Sequence, residues 1–356
     1  MKALITAGGR GTRLRPITHT RNKHLIPIAN KPMLQHAIEY VRDAGIEEAA
    51  IIINSDEKEV QATFGSGDRL GLRLSYLPQE APLGLAHCIK ISRDFIGDEP
   101  FVFYLGDNML VGGISKFREE FESSKSNCHL TLAHVKDPER FGVPEIRDDR
   151  IVAIEEKPAK PKSSYAVAGI YFYDPSIFEA VDNIKPSARG ELEISDAHQY
   201  LIANGFHVSY SEITGWWKDT GLPEDLLEAN RLVLDHLQPH IAEDAEVDSA
   251  SRLAGRVSIE EGAEVVNSNI RGPVIIGRNT VIEDAYVGPF TSIQDHCSVR
   301  QSEIEYSIML SNSSLTKVAV RVEGSLIGHD AAIIQGRDKP RTQRFIIGDQ
   351  RIVQVL

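Results

Sequence analysis

Apolar residues follow two different rhythms along this chain. Through roughly the first 235 residues, short apolar runs alternate with amphipathic segments. Lys2–Thr6 reads as a short strand. Pro32–Ala44 reads as an amphipathic helix, with Met33, Ile38 and Val41 among its apolar positions and Gly45 as its stop. Ala49–Ile53 reads as strand, Asp56–Phe64 as helix, Leu72–Leu77 as strand, Leu85–Ile91 as helix and Pro100–Leu105 as strand. This alternation predicts an α/β domain built on a mainly parallel sheet, with helices on both faces. Ligands of such sheets bind beyond the carboxyl ends of the strands. The glycine loop at residues 7–11 and LGDN at 105–108 both follow strands directly, so they should meet on one edge.

The second rhythm begins near Val257. Aliphatic residues recur six apart: Ile259 and Val265, Ile276 and Ile282, then Val287, Ile293 and Val299, then Ile327 and Ile333. Small residues and glycines fill the spaces. A six-residue period cannot be a helix face; it marks a hexapeptide solenoid, a parallel β-helix with three short strands per coil. The period breaks between Ile282 and Val287 and again near Ile304, where irregular corners are expected. LDHLQPHIAED, residues 234–244, is the expected junction, dividing the chain into domains 1–238 and 239–356.

A length of 356 residues agrees with two domains, and 42% apolar with 25% charged residues is ordinary for a soluble protein. The net charge of −12 argues against a nucleic-acid binder. Cys88, Cys128 and Cys297 form no CxxC pair, which speaks against structural zinc or a disulfide framework and fits a cytoplasmic location. No leader-like apolar stretch opens the chain, and no run approaches a membrane span.

The densest candidate chemistry is AGGRGTRLRP, residues 7–16. It is neither a Walker A loop, since no GK[ST] ends it, nor GxGxxG, since its glycines fall at 8, 9 and 11. Glycines let backbone amides approach a phosphate, and the arginine fork suits phosphate oxygens. A tight turn with solvated arginines fits the same residues. Lys23 follows within a rigid, proline-punctuated segment. Asp107 in LGDN is a hard carboxylate at a strand end, suited to Mg²⁺ or to capping a turn. Asp219 in WWKDTG stands in a short loop between apolar residues. Lys157 in EEKP could hold a phosphate or stand in solvent, and the Gln79 amide can pair with a base edge or lie on the surface. The twelve histidines show no Ser/His/Asp spacing and no HExxH; His19, His24 and His36 surround the phosphate loop.

The span GGRGTRLRPITHTRNKHLIPIANKP resembles the signature of the sugar-1-phosphate nucleotidylyltransferases. The likeness continues through PQEAPLGLAHCI, LGDNMLVGG, ERFGVPEI, EEKPAKPKSSYAVAGIYFYD, KPSARGELEISD and WWKDTG. Within that family the chain is similar to the long-form glucose-1-phosphate thymidylyltransferases. The resemblance implies a Rossmann-like nucleotidyltransferase domain followed by a left-handed β-helix. It implies transfer from dTTP to glucose 1-phosphate with Mg²⁺ as cofactor and pyrophosphate as by-product. Asp107 and Asp219 would be the metal ligands. Ala7, Gly8, Gly9, Gly11, Thr12 and Arg13 would hold the triphosphate, with Lys23 toward the leaving group. Gln79 and Gly84 would read the base. Lys157 would hold the sugar phosphate, with Asn108, Gly142, Glu156, Tyr165, Gly169 and Glu193 around the sugar.

Thymine and uracil differ by one methyl group, so UTP stays open beside dTTP, as does an N-acetylated sugar phosphate. His296 and His329 leave open an acetyltransferase in the β-helix, and a non-catalytic sugar-nucleotide-binding subunit is the third reading. The solenoid is expected to support a homo-oligomer.

Overall fold

The computed structural model describes residues 1–9, 11–19 and 21–335, which form two compact units divided between Leu237 and Gln238. In the first, the strands are β1 (Lys2–Thr6), β2 (Pro27–Ile28), β3 (Lys31–Pro32), β4 (Glu48–Asn54), β5 (Arg73–Gln79), β6 (Phe101–Leu105), β7 (Asn108–Leu110), β8 (Cys128–His134), β9 (Gly142–Arg147), β10 (Arg150–Glu156), β11 (Tyr165–Tyr173), β12 (Val208–Glu212) and β13 (Trp217–Asp219). The α-helices are α1 (Met33–Asp43), α2 (Glu59–Phe64), α3 (Leu85–Ile91), α4 (Arg93–Ile96), α5 (Ser115–Ser124), α6 (Ile177–Asn183), α7 (Ile194–Ala203) and α8 (Pro223–Leu234). The expected elements are present, shifted by a residue or two at their ends; only Asp56–Lys58 stays outside the helix expected from Asp56.

Seven strands form one sheet in the order β12-β8-β11-β6-β1-β4-β5. All neighbours are parallel except β11, which runs against β6 and β8. Strand alternation sends side chains to two separate cores. Leu4, Phe101 and Phe103 face one side with α3, α6 and α7 residues such as Ile89, Val181 and Leu201. Ala3, Ile5, Val102 and Tyr104 face the other, with Leu34, Ala37, Ile38 and Val41 of α1 and Phe117 of α5. A strand buried on both faces cannot alternate apolar with polar, which is why KALIT and FVFYL read as continuous apolar runs.

The second unit is three parallel sheets of two- and three-residue strands, as expected for a left-handed β-helix. Its interior is columnar. Ile259 pairs with Ile276, Ile276 with Ile293, Ile293 with Met309 and Met309 with Ile327. Val265, Ile282, Val299 and Leu315 form a second column, and Ile270, Val287 and Ile304 a third. The breaks in the six-residue period fall mainly on one side of the coil, which is a residue shorter, with one further five-residue step from Ile304 to Met309. Val265 to Ile270, Ile282 to Val287 and Val299 to Ile304 are each five apart. Those corners carry a left-handed residue: Asn267, Asp284 and Gln301, with φ of 45°, 49° and 47°. His296 occupies another such corner, with φ of 57°, in line with Asn279 and Asn312.

Ile293 is fully buried between Ile276 and Met309. Ile293→Ala is expected to destabilise the β-helix by about 2–5 kcal/mol. Urea denaturation followed by circular dichroism measures this; a loss below about 1 kcal/mol would show that the coils close over the gap.

Candidate active site

The carboxyl edge of the sheet collects the site because β1 lies between β4 and β6. Thr6 sits opposite both Ile52 and Leu105, and the Gly106 amide donates to the Thr6 carbonyl at 3.1 Å. The glycine loop and the LGDN turn therefore leave the sheet side by side. From the loop the chain returns to the edge through Asn22, whose Nδ2 donates to the Ala7 carbonyl (2.9 Å) and to Glu57 (2.7 Å). The Asn22 Oδ1 caps the short turn Lys23–Leu25 by accepting from the His24 amide at 2.9 Å. That turn throws the Lys23 side chain across Gly9, where a β-carbon would lie only 2.8 Å from Lys23 Cε. Lys23 Nζ then ion-pairs with Asp107 Oδ2.

Asp219 arrives from the other side. β13 pairs antiparallel with β7, setting Asp219 opposite Asn108, and the Thr220 hydroxyl donates to the Asp107 carbonyl at 2.7 Å. The two aspartates titrate apart. Burial works against ionising Asp107, but the Lys23 charge, with His24 and the hydrogen bonds from Lys23 and Asn108, holds its carboxyl well below the usual range. Burial and the negative Asp107 push Asp219 up to about 6, against the pull of Lys23 and Arg13. Two neighbouring carboxylates at a cavity wall form a donor set that suits Mg²⁺, which takes one or two carboxylates and fills its remaining positions with phosphate oxygens and water. Among the described residues no cluster of three or more His, Cys, Asp or Glu could hold a metal alone.

Two cavities share Asp107, Leu105 and Leu85. The smaller, of about 290 Å³, is lined by Gly8, Gly9, Lys23, Gln79 and Gly84, with Ile52, Pro82 and Cys88 as apolar wall. The larger, of about 430 Å³, is lined by Arg13, Asn108, Gly142, Glu156, Lys157, Gly169, Glu193 and Asp219. Its charges balance: Arg13, Arg140, Lys157 and Arg189 against Asp107, Glu156, Glu193 and Asp219. Glu156 accepts from Ser195 Oγ at 2.7 Å and lies 3.1 Å from Lys157 Nζ and 3.5 Å from Arg189. Gly142 permits this, since a β-carbon there would meet Ser195 Oγ at 2.7 Å. Glu193 precedes α7 and accepts from Ser187 (2.7 Å) and Arg189 (2.8 Å). Asn108 is buried, donating to Asp107 at 3.0 Å and accepting from Trp217 Nε1 at 2.8 Å.

Four expected site residues line neither cavity, and a fifth, Arg13, lines a different one than expected. Tyr165 shares a strand face with Val167, Gly169 and Tyr171 but stands at the start of β11, off the cavity wall, with its hydroxyl committed to Glu212 at 2.8 Å. Ala7 belongs to the core: its methyl is buried and its amide donates to Ile52 at 2.7 Å. Gly11 and Thr12 begin the short turn Thr12–Leu14, where the Gly11 carbonyl accepts from Leu14 and Thr18 and lines neither cavity. Arg13 lines the larger cavity, over Gly221, rather than the smaller one that holds Gly8 and Gly9.

Sequence reasoning missed Arg189, Ser195, Trp217, Tyr171, Arg140 and His198, all on the larger cavity. Arg189 and Ser195 flank Glu193 in ARGELEISD, and Trp217 lies in WWKDTG, so the motifs held them. His198, fully buried against Tyr173 and pushed down to about 3 by burial, carried no such signal. His24 and His36 are buried and likewise kept neutral, at about 3 and about 4, by burial first.

A doubly covered parallel sheet with a glycine loop, a lysine and paired aspartates at its carboxyl edge defines a phosphate-handling α/β fold. Residues 2–236 match the family model described as nucleotidyl transferase. The chain is 48% identical over 356 residues to glucose-1-phosphate thymidylyltransferase of Streptomyces griseus, covering 100% of this chain and 99% of that one. It is 48% identical over 357 residues to the enzyme of the same name from Streptomyces antibioticus, again covering 100% and 99%. A crystallised candidate glucose-1-phosphate thymidylyltransferase from Bacillus anthracis, in complex with sucrose, superposes with a TM-score of 0.62 at 42% identity, covering 65% of this chain and 94% of that one. The chain belongs to the nucleotidyl transferase family and is an enzyme of that class. No helix among the described residues is long and apolar enough to cross a membrane.

The raised Asp219 gives a stability prediction. Its folded pKa, about 6, lies above the ordinary 3.8, so its contribution is favourable at low pH and lost as pH rises through 6. Without divalent cations, Asp219→Asn is expected to stabilise the protein at pH 8 by roughly 1–3 kcal/mol. The gap narrows at pH 5. Thermal melts at the two pH values measure it; equal gaps at both would remove Asp107 and burial as the cause.

Proposed function

We propose that the protein transfers the thymidylyl group of dTTP to glucose 1-phosphate, giving dTDP-glucose and pyrophosphate. One observation carries the reading: the glycine-lined cavity and the charged cavity meet at Asp107, as in-line transfer between two phosphates requires. The names of the two Streptomyces relatives supply the base and the sugar.

The sugar-phosphate oxygen forms a bond to the α-phosphorus as the bond from that phosphorus to the β-bridging oxygen breaks, and pyrophosphate leaves with that electron pair. The nucleophile is already ionised at pH 7, so no general base is needed. That agrees with a site whose buried histidines, His24 and His198, are neutral. What remains is to bring two anions together. Lys157 and Arg189 hold the sugar phosphate, Lys23 faces the triphosphate beside Gly8 and Gly9, and Arg13 closes the cavity over the reacting phosphates. Glu156 and Glu193 accept from sugar hydroxyls once Arg189 and Lys157 turn to the phosphate. Mg²⁺, held by Asp107 and Asp219, would neutralise charge on the α-phosphate and the departing pyrophosphate. Arginine and lysine contacts of this kind do most when water is excluded.

The β-helix exposes apolar residues, with Val320 59% and Val266 40% accessible, which supports a homo-oligomer. The full chain is expected to sediment as a multiple of its own mass; a monomer at tens of micromolar would overturn that.

The enzyme is expected to release pyrophosphate from dTTP and glucose 1-phosphate only with Mg²⁺. Asp107→Asn should lower kcat by about a hundredfold or more with an unchanged circular dichroism spectrum; turnover near the wild-type rate would sink the assignment. Lys157→Ala should raise KM for the sugar phosphate by about tenfold with a smaller effect on dTTP, consistent with losing one charged contact.

A further inference from the structure

The smaller cavity contains an amide whose two ends are not equivalent. Gln79, the last residue of β5, lines it and is 9% exposed. Its Nε2 donates to the Gly84 carbonyl at 3.3 Å and lies 3.1 Å from His87 Nδ1. The buried Cys88 thiol is a third partner, hydrogen-bonded to the same amide. An amide nitrogen carries two protons, and both are engaged. Oε1 accepts nothing from the protein and is left to the cavity.

With the His87 ring proton on Nε2, turning the amide over would set Oε1 against two acceptors, the Gly84 carbonyl and Nδ1 of His87. Burial lowers the pKa of the ring first, Lys90 lowers it further, and only Glu80 opposes them, which favours the neutral ring. Nδ1 is then an acceptor whenever the ring proton sits on Nε2. His87 itself stands behind Gln79 in α3 and off the cavity wall.

We propose that His87 is a positioning residue that locks the Gln79 amide with Oε1 toward the cavity, so that the site admits a base with a ring N–H donor and rejects one with a bare ring nitrogen. Thymine and uracil present N3–H; cytosine presents an unprotonated N3. This inference rests on the reading that the smaller cavity holds the nucleobase. It assigns the rejection of cytosine to one dipole and to the side chain that aims it.

The test measures kcat/KM for dTTP and dCTP at fixed glucose 1-phosphate in the full-length wild type, His87→Leu and His87→Asn. The Asn Oδ1 can stand where Nδ1 stood and accept the same proton. In His87→Leu the dTTP-to-dCTP ratio should fall by about tenfold, through KM rather than kcat, as for one lost hydrogen bond. His87→Asn should keep the ratio within about threefold of wild type, by the same measure. His87→Phe keeps a ring without a nitrogen and gives the same reading if the leucine variant does not fold. A parallel loss for both triphosphates, with the ratio unchanged, would overturn the proposal by reducing His87 to a packing role. So would an asparagine variant as unselective as leucine. If the wild type releases no pyrophosphate from any triphosphate and sugar phosphate, the functional reading itself fails. A wild type selective for dTTP beside an equally selective His87→Leu fails this inference alone.

Discussion

The ion pair between Lys23 and Asp107 organises the whole edge of the sheet. The partners are 84 positions apart and largely withdrawn from water. Neither charge is tolerable there alone, since removing one partner of a buried pair costs about 3–5 kcal/mol. The pair exists because β1 and β6 are neighbours, which sets the two following loops next to each other. Asn22 fixes the turn before Lys23, and Gly9 leaves room for its side chain to pass. Each of these serves one end: an acid kept ionised at a place where burial alone would protonate it.

Asp219 is the counterweight. One lysine satisfies Asp107, and β13 then delivers a second carboxylate to the same place. Burial and repulsion leave that second group protonated far more readily than a free aspartate. A fold selected for stability alone would not set two acids together, and local conflict of this kind concentrates where ligands complete the charge balance. The larger cavity shows the same economy. Arg189 bridges Glu156 and Glu193 and Lys157 rests on Glu156, so these two cations have partners that an arriving phosphate would displace. Such pairs keep the side chains near their working positions at little net cost in stability.

Much of this was legible in the sequence, and the failures have physical causes. Strand–helix alternation is dictated by burial on both faces of the sheet, so the first unit read directly. The six-residue period marked the solenoid, but the side that runs through Asn267, Asp284 and Gln301 is a residue shorter than the others, which looks like an interruption. Spacing cannot see that three such interruptions are one repeated feature. Motifs identify which segments meet, not which way a side chain turns. Tyr165 lies in a motif yet spends its hydroxyl on Glu212, whereas Arg189 lies one motif over and reaches the cavity. Burial hid His198 entirely, because nothing in HQYLIA distinguishes a packed histidine from a surface one.

The two cavities also differ in the kind of discrimination their walls can deliver. A single carbonyl oxygen at Gln79 separates a ring donor from a ring acceptor, and leaving it unpaired in a buried place is costly. It cannot separate thymine from uracil, which offer the same N3–H. That distinction falls to apolar contact, for which Ile52, Pro82 and Leu85 are the available surface, and one methyl group yields roughly 1 kcal/mol. Under the proposed function, base selection in this site is two-tiered, sharp between donor and acceptor edges and shallow between a methyl and a hydrogen. The charged cavity has no such tiers. Under the proposed function, its arginine and lysine meet the phosphate first, and Glu156 and Glu193 are freed for sugar hydroxyls once that anion has drawn the cations away.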